Sequence, residues 1–261
     1  KKIFSFHYRG LCKNYHVKIG WFWNRAILDI RHWNKGKENS IQSTCAIGDC
    51  VSIIKTVYSD QYEILKAIET LYLKNGIEVD PTYSKGVFYK KGNISQPKMK
   101  FDLYPQTVDT IKASAENLPL EDQSVESIMF DPPFMAGFTT KNKRGQTKTT
   151  GIMGQRFHGF RYVTDVWKWY DECLQEFSRI IKNKGVLIFK CQDTVSSGKN
   201  WFSHCFVMER AIQHGFYPKD LFILTAKNRI IGKNHKIQKH ARKFHSYFWV
   251  FEKKSCNVPY D

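Results

Sequence analysis

The chain has 261 residues, 42% of them hydrophobic and 15% aromatic, enough apolar material for a large core, which excludes disordered, collagen-like and low-complexity classes. Lys and Arg number 41 against 24 Asp and Glu, a net charge of +17, and that excess favours a polyanionic partner, nucleic acid or an anionic membrane surface. No apolar run approaches the roughly 18–20 residues that span a bilayer, and seven irregularly spaced cysteines read as reduced thiols of a cytoplasmic protein rather than a disulfide framework.

Residues 1–56 differ from the rest. They hold ten basic and three acidic residues and three tryptophans, Trp21, Trp23 and Trp33, with little periodicity. Cys12, His16, His32, Cys45 and Cys50 match no zinc spacing, so no metal is expected. This part reads as a basic N-terminal extension without an assignable role. Residues 57–255 are regular. Apolar residues at helical spacing predict a helix over Gln61–Leu73, ended by Asn75-Gly76. Strands are predicted at Ile77–Val79, Lys100–Leu103 and Ser127–Phe130. A helix over Val166–Ile181 closes at Lys184-Gly185 before a strand at Val186–Lys190, and a helix over Trp201–His214 stops at Gly215. The last strands are Leu221–Thr225 and Ser246–Glu252. Strands alternating with helices predict an α/β fold with a doubly wound, mostly parallel sheet. The final pair has no helix between its strands, so the last strand is expected to run antiparallel.

The sharpest motif is Asp131-Pro132-Pro133-Phe134. It follows an apolar strand, and open α/β sheets place ligands at the carboxyl ends of their strands. Two prolines remove two backbone donors and fix two φ angles. The stiffened loop presents bare carbonyls, one carboxylate and an aromatic ring, which together can grip an exocyclic amino group and stack on the ring that bears it.

These residues resemble the catalytic motif of the amino-methyltransferases, which transfer a methyl group from S-adenosylmethionine to an exocyclic nitrogen of a base. Upstream, Asp80-Pro81-Thr82-Tyr83-Ser84-Lys85-Gly86 is similar to the family's cofactor motif Asp-Pro-Phe-x-Gly-x-Gly. Ser84 stands where the middle glycine is usual. The resemblance implies a Rossmann-like methyltransferase fold and a tight strand-to-helix turn passing close to the cofactor, where a Cβ on Gly86 would meet the ligand. It further implies that Asp102 holds the ribose hydroxyls and that Ser114 and Ala115 contact the adenine. Ser114 stands where an Asp is common. The likeness spans about residues 60–254, and Ile188–Gln192 and Lys227–Phe251 are similar in texture to small phage and bacterial DNA methylases. Cys191-Gln192 resembles the nucleophile motif of cytosine C5 enzymes, but Lys190 replaces its proline and an exocyclic amine needs no covalent catalysis, so Cys191 reads as a strand-end residue.

Two windows lack acidic residues. Loop 135–163 holds Lys141, Lys143, Arg144, Lys148, Arg156 and Arg161; loop 227–245 holds Lys227, Arg229, Lys233, Lys236, Lys239, Arg242 and Lys243. Cationic loops at the mouth of a base pocket neutralise phosphates and release counterions, and glycines at 137, 151 and 154 allow the first loop to close over a flipped base. Only 44 residues separate Gly86 from Asp131, and the sheet itself fills them. Recognition is therefore expected from the two loops and residues 1–56, with a short target or weak specificity. The expectation is a DNA adenine-N6 methyltransferase acting on double-stranded DNA. An RNA base amino-methyltransferase and a non-catalytic nucleic-acid-binding relative stay open, the latter on Ser84 and Ser114.

Overall fold

The computed structural model describes residues 53–91, 94–137, 160–226 and 239–254 in full, and elsewhere the backbone of six strands. The chain forms two compact units, Lys1–Ile53 and Ile54–Asp261. The first contains a four-stranded antiparallel meander of β1 (Ile3–Tyr8), β2 (Tyr15–Phe22), β3 (Arg25–Asn34) and β4 (Lys37–Asn39). Its register pairs Ile3 with Gly20 and Tyr15 with His32. Regular strands here depart from the little periodicity read in the sequence. The signal is the recurrence of Tyr15, Val17, Ile19 and Trp21 at every second position, the period of a strand.

The second unit is built on eight strands: β5 (Val57–Tyr58), β6 (Val79–Asp80), β7 (Met99–Asp102), β8 (Ile111–Lys112), β9 (Val125–Phe130), β12 (Ile181–Cys191), β15 (Phe216–Thr225) and β16 (His245–Lys253). Between them lie two hairpins, β10 (Thr139–Lys141) with β11 (Thr147–Thr149) and β13 (Thr194–Ser196) with β14 (Lys199–Trp201). Among the described residues the α-helices are α1 (Gln61–Tyr72), α2 (Val163–Ile180) and α3 (Ser203–Gln213). Asp60 caps α1 by accepting from the Tyr62 N–H at 2.9 Å.

The sheet order is β5-β15-β16-β12-β9-β6-β7-β8. Every pairing is parallel except those of β16, which runs antiparallel to both β12 and β15. This is the Rossmann-like α/β sheet with an antiparallel last strand that the sequence predicts. Strand alternation sorts side chains onto two faces. Ile128, Phe130, Leu187, Phe189 and Phe251 join one buried cluster with Tyr170, Leu174 and Phe177 of α2 and Val207 and Ala211 of α3. Met129, Val186, Ile188, Phe222, Phe248 and Val250 join another with Ile64, Leu65 and Ile68 of α1. Phe130 centres the first, edge-on to Phe177 and Phe189 at 4.9 Å each, a favoured aromatic geometry.

Two local expectations change. The turn after β6 enters only a single 3-10 turn, Val87–Tyr89, rather than an α-helix. The closure of α2 comes at Ile180, before Lys184-Gly185. Residues 181–185 instead make a register irregularity against β9. Lys184 takes a positive φ of 65°, and a Cβ on Gly185 would stand 2.9 Å from the Glu126 carbonyl, so this glycine serves a close backbone approach.

Candidate active site

The chain runs from β6 outward to β7 and β8, then returns to place β9 beside β6. The strand order reverses between β6 and β9, and the carboxyl ends of strands flanking such a reversal form a crevice suited to a ligand. Asp80-Pro81-Thr82 leaves β6 there, and Asp131-Pro132-Pro133-Phe134 leaves β9. The Thr82 hydroxyl joins them: it accepts the Asp131 N–H at 3.1 Å and reaches Asp80 Oδ1 at 3.2 Å.

Asp80 is 3% exposed. Its carboxylate accepts the Thr82 N–H at 2.7 Å and the Tyr89 hydroxyl at 2.7 Å. Burial pushes its pKa from 3.8 up to about 7, the charge of Asp131 adding to the rise and the hydrogen bonds opposing it. Beyond it the loop turns through left-handed conformations at Ser84 (φ 52°) and Gly86 (φ 61°). A glycine is at home at either position; Ser84 accepts the strained conformation. The reason for Gly86 differs from the one expected: a Cβ there would overlap the phenol ring of Tyr83, a contact inside the protein rather than with a ligand.

Asp102, at the end of β7, leans onto this loop. One oxygen accepts the Ser84 N–H at 2.8 Å and the other the Tyr104 N–H at 2.7 Å, and burial raises its pKa against those bonds. Ser114 starts a tight turn closed by the Asn117 N–H on its carbonyl at 3.0 Å. Its side chain is partly exposed, while Ala115 is 4% exposed and belongs to the core with Val79 and Phe101. The structure thus gathers Asp80, Pro81, Thr82, Ser84 and Gly86 along one loop with the Asp102 carboxylate bonded to it, and turns the Ala115 side chain into the core.

In the second motif Pro132 is buried, Phe134 is half-buried, and the Pro133 carbonyl accepts the hydroxyl of buried Tyr170 at 3.0 Å. The Asp131 side chain keeps 28% exposure and pairs with Lys190, whose Nζ lies 3.1 Å from one oxygen and 3.2 Å from the other. Just beyond, Ala136 bridges to Phe160 and the Gly137 N–H bonds the Phe160 carbonyl at 2.9 Å, so the basic segment leaves and re-enters at one point. Cys191 is fully buried, which pushes its thiol well above the ordinary range, as suits a core residue and not a nucleophile.

Sequence reading missed Lys190, Tyr89 and Tyr170. For Lys190 a signal exists: a single charge ends the apolar strand Val186–Lys190 on the face that Val186 and Ile188 pack. It also missed a cluster at the same sheet edge, where Asp193 (3% exposed) accepts from the His204 ring at 2.8 Å and the Tyr247 hydroxyl at 3.3 Å. Burial opposes the charged form of Asp193, but these bonds lower its pKa overall.

Of the basic residues, Lys141 and Lys148 lie on the paired β10 and β11. Arg161 sets its guanidinium 5.0 Å from the Tyr162 ring. Lys239 is exposed, Arg242 is partly buried, and the Lys243 ammonium lies 5.5 Å from the half-exposed Phe202 ring. Lys143, Arg144, Arg156, Lys227, Arg229, Lys233 and Lys236 lie outside the described residues. Among the described residues no group of three or more His, Cys, Asp or Glu could hold a metal ion, and no helix is long and apolar enough to cross a membrane.

No family model and no curated protein matches the chain. Solved structures are similar at low identity. One, described as a DNA modification methylase from Thermus thermophilus in complex with S-adenosyl-L-methionine, is 15% identical over 55% of this chain and 53% of its own, with a TM-score of 0.35. PvuII DNA methyltransferase, described as cytosine-N4-specific, is 15% identical over 52% of this chain and 45% of its own, with a TM-score of 0.36. TrmN from Thermus thermophilus is 13% identical over 74% of this chain and 48% of its own, with a TM-score of 0.41. The chain spans about half the length of each.

Proposed function

We propose that this chain transfers a methyl group from S-adenosylmethionine to an exocyclic amino group of a base in DNA, adenine N6. The observation that carries the reading is the meeting of the two motifs at the reversal of strand order, with the Thr82 hydroxyl between Asp80 and the Asp131 N–H. The residues fit the cofactor. The left-handed loop Ser84–Gly86, the Asp102 carboxylate held against it and the partly exposed residue Ser114 follow the ends of β6, β7 and β8. Asp102 would hold the ribose and Ser114 the adenine. When bound there, the cofactor would supply an electrophilic methyl on its sulfonium, the sulfur keeping the electrons of the broken S–C bond while the base nitrogen gains the N–C bond and gives up a proton.

The protein's part is positioning. With the base flipped out of the duplex, Phe134 stacks on it, and the Asp131 carboxylate and Pro132 carbonyl accept from its amino group, drawing the lone pair out of the ring. The Tyr170 bond to the Pro133 carbonyl sets the angle of the loop. Asp131 takes the departing proton and passes it to solvent across its exposed side. Cationic residues of the two loops would hold the phosphates.

The test incubates the protein with methyl-labelled S-adenosylmethionine and duplex DNA, single-stranded DNA or RNA, and identifies the modified nucleoside by mass spectrometry. N6-methyladenine in duplex DNA is expected, with Asp131→Ala slower by roughly 10²–10⁴-fold. Label in RNA alone would move the substrate to RNA. Absence of both transfer and cofactor binding by calorimetry would leave a nucleic-acid-binding protein without the activity.

A further inference from the structure

Lys190 is the charged residue in an otherwise apolar face. Val186, Ile188 and Lys190 project to the same side of β12, and the first two pack in the α1-side core. Lys190 itself is 9% exposed. Burying an ammonium is costly unless it is paired, and an aliphatic residue would fill the place without that cost. Its ammonium lies 4.9 Å from the centre of the Phe88 ring and 5.4 Å from that of Phe248, a setting that favours a cation. From there it meets both Asp131 oxygens. Phe88 belongs to the 3-10 turn that follows the Asp80–Gly86 loop, and Phe248 to β16.

We propose that Lys190 is a positioning residue for Asp131, fixing its carboxylate in the orientation that receives the amino group of the substrate; this rests on the reading above. Asp131 is then held twice, its main chain by the Thr82 hydroxyl and its side chain by Lys190. A carboxylate has about four acceptor sites. One ammonium bound to both oxygens from the buried side leaves the remaining lone pairs for the exposed side. Asp80, Tyr89 and Tyr170 also feel the charge of Asp131, and none of them is a cation that could replace Lys190.

Lys190→Met keeps the stem between the rings and removes the charge. The expected result is turnover lowered roughly 10–10²-fold, the size of effect that misplacing a reacting group produces, with cofactor affinity by calorimetry unchanged. In Lys190→Ala, added propylammonium should restore part of the turnover and propanol should not, which separates charge from filling. Wild-type turnover in Lys190→Met alongside an inactive Asp131→Ala would overturn the role of Lys190 and leave the methyl-transfer reading standing. A second arm is independent of activity: urea unfolding of Asp131→Asn, Lys190→Met and the double variant. A coupling of about tenfold or more in the unfolding equilibrium constant is expected for groups in direct contact. Coupling present in a protein that transfers no methyl group would retain the pairing and reject the reading it rests on; coupling absent would overturn the proposal whatever the turnover. Should Lys190→Met fail to fold, a folded double variant supports the pairing, and an unfolded one overturns it by making Lys190 a packing residue.

Discussion

Asp80 is a carboxyl whose chemistry is strongly altered by its surroundings. Its carboxyl is raised from 3.8 to about 7, so between those values the folded protein keeps a proton that the unfolded chain has lost. Stability contributed by that proton is fully present below about pH 4, falls as pH rises through the window, and levels off above about 7. Asp80→Asn removes the titration, so the variant should gain stability relative to the wild type on going from pH 4.5 to 7.5, read from urea midpoints. Parallel profiles would show that Asp80 is not buried as described. Gly86 makes a second prediction. The Tyr83 ring that a Cβ would meet is itself held, its hydroxyl bonding Gln96 at 2.7 Å and its face lying 4.9 Å from the Lys100 ammonium. Gly86→Ala should therefore cost about 1–3 kcal/mol of stability from overpacking, in addition to the strain of a positive φ, measured by thermal or urea unfolding. At this scale the sequence showed the two motifs, because each is contiguous. It did not show what Lys190 and Tyr170 pair with, since their partners lie 59 and 37 residues away and only the fold brings them together.

Elements were legible where burial imposes a period. The spacing over Gln61–Leu73 and Val166–Ile181 predicts α1 and α2 to within a few residues of Gln61–Tyr72 and Val163–Ile180, because one face of each enters the core. Short edge elements carried no such signal. β8 has two exposed residues, and β13 and β14 form a hairpin of three-residue strands, too short for alternation to stand out. The Asp80–Gly86 motif implied a helix; the structure follows it with one 3-10 turn. What an element delivers to the site is testable through α2. Tyr170 spans the α2-side core and ends on the Pro133 carbonyl. Tyr170→Phe removes that bond and keeps the ring, so stability should fall by only about 1–2 kcal/mol. If the loop angle matters, methyl transfer should drop more steeply than stability, with cofactor affinity preserved. Equal turnover in the two proteins would mean that the two prolines hold the loop alone.

At the scale of the molecule, order and charge act together. The crevice is placed by strand order, which the alternation of helices and strands predicts only as a class. The register that sets Val79 beside Ile128 and so brings Thr82 to Asp131 depends on how the whole sheet closes. Charge can be tested without knowing the target sequence. Lys239, Arg242 and Lys243 precede β16, whose first residues lie at the same edge as the end of β12, one strand beyond β9. Phe202 and Asn200 meet Lys243 and His240 there, at 5.5 Å and 3.4 Å. If these cations contact phosphates, replacing all three by Gln removes up to three released counterions. The slope of log K against log salt for duplex DNA should then flatten by about 2–3, at roughly 0.9 per phosphate contact, with little change in base preference. A fluorescence titration at several salt concentrations reads this directly. A slope equal to that of the wild type would remove these three residues from the interface and place the phosphate contacts elsewhere on the +17 surface.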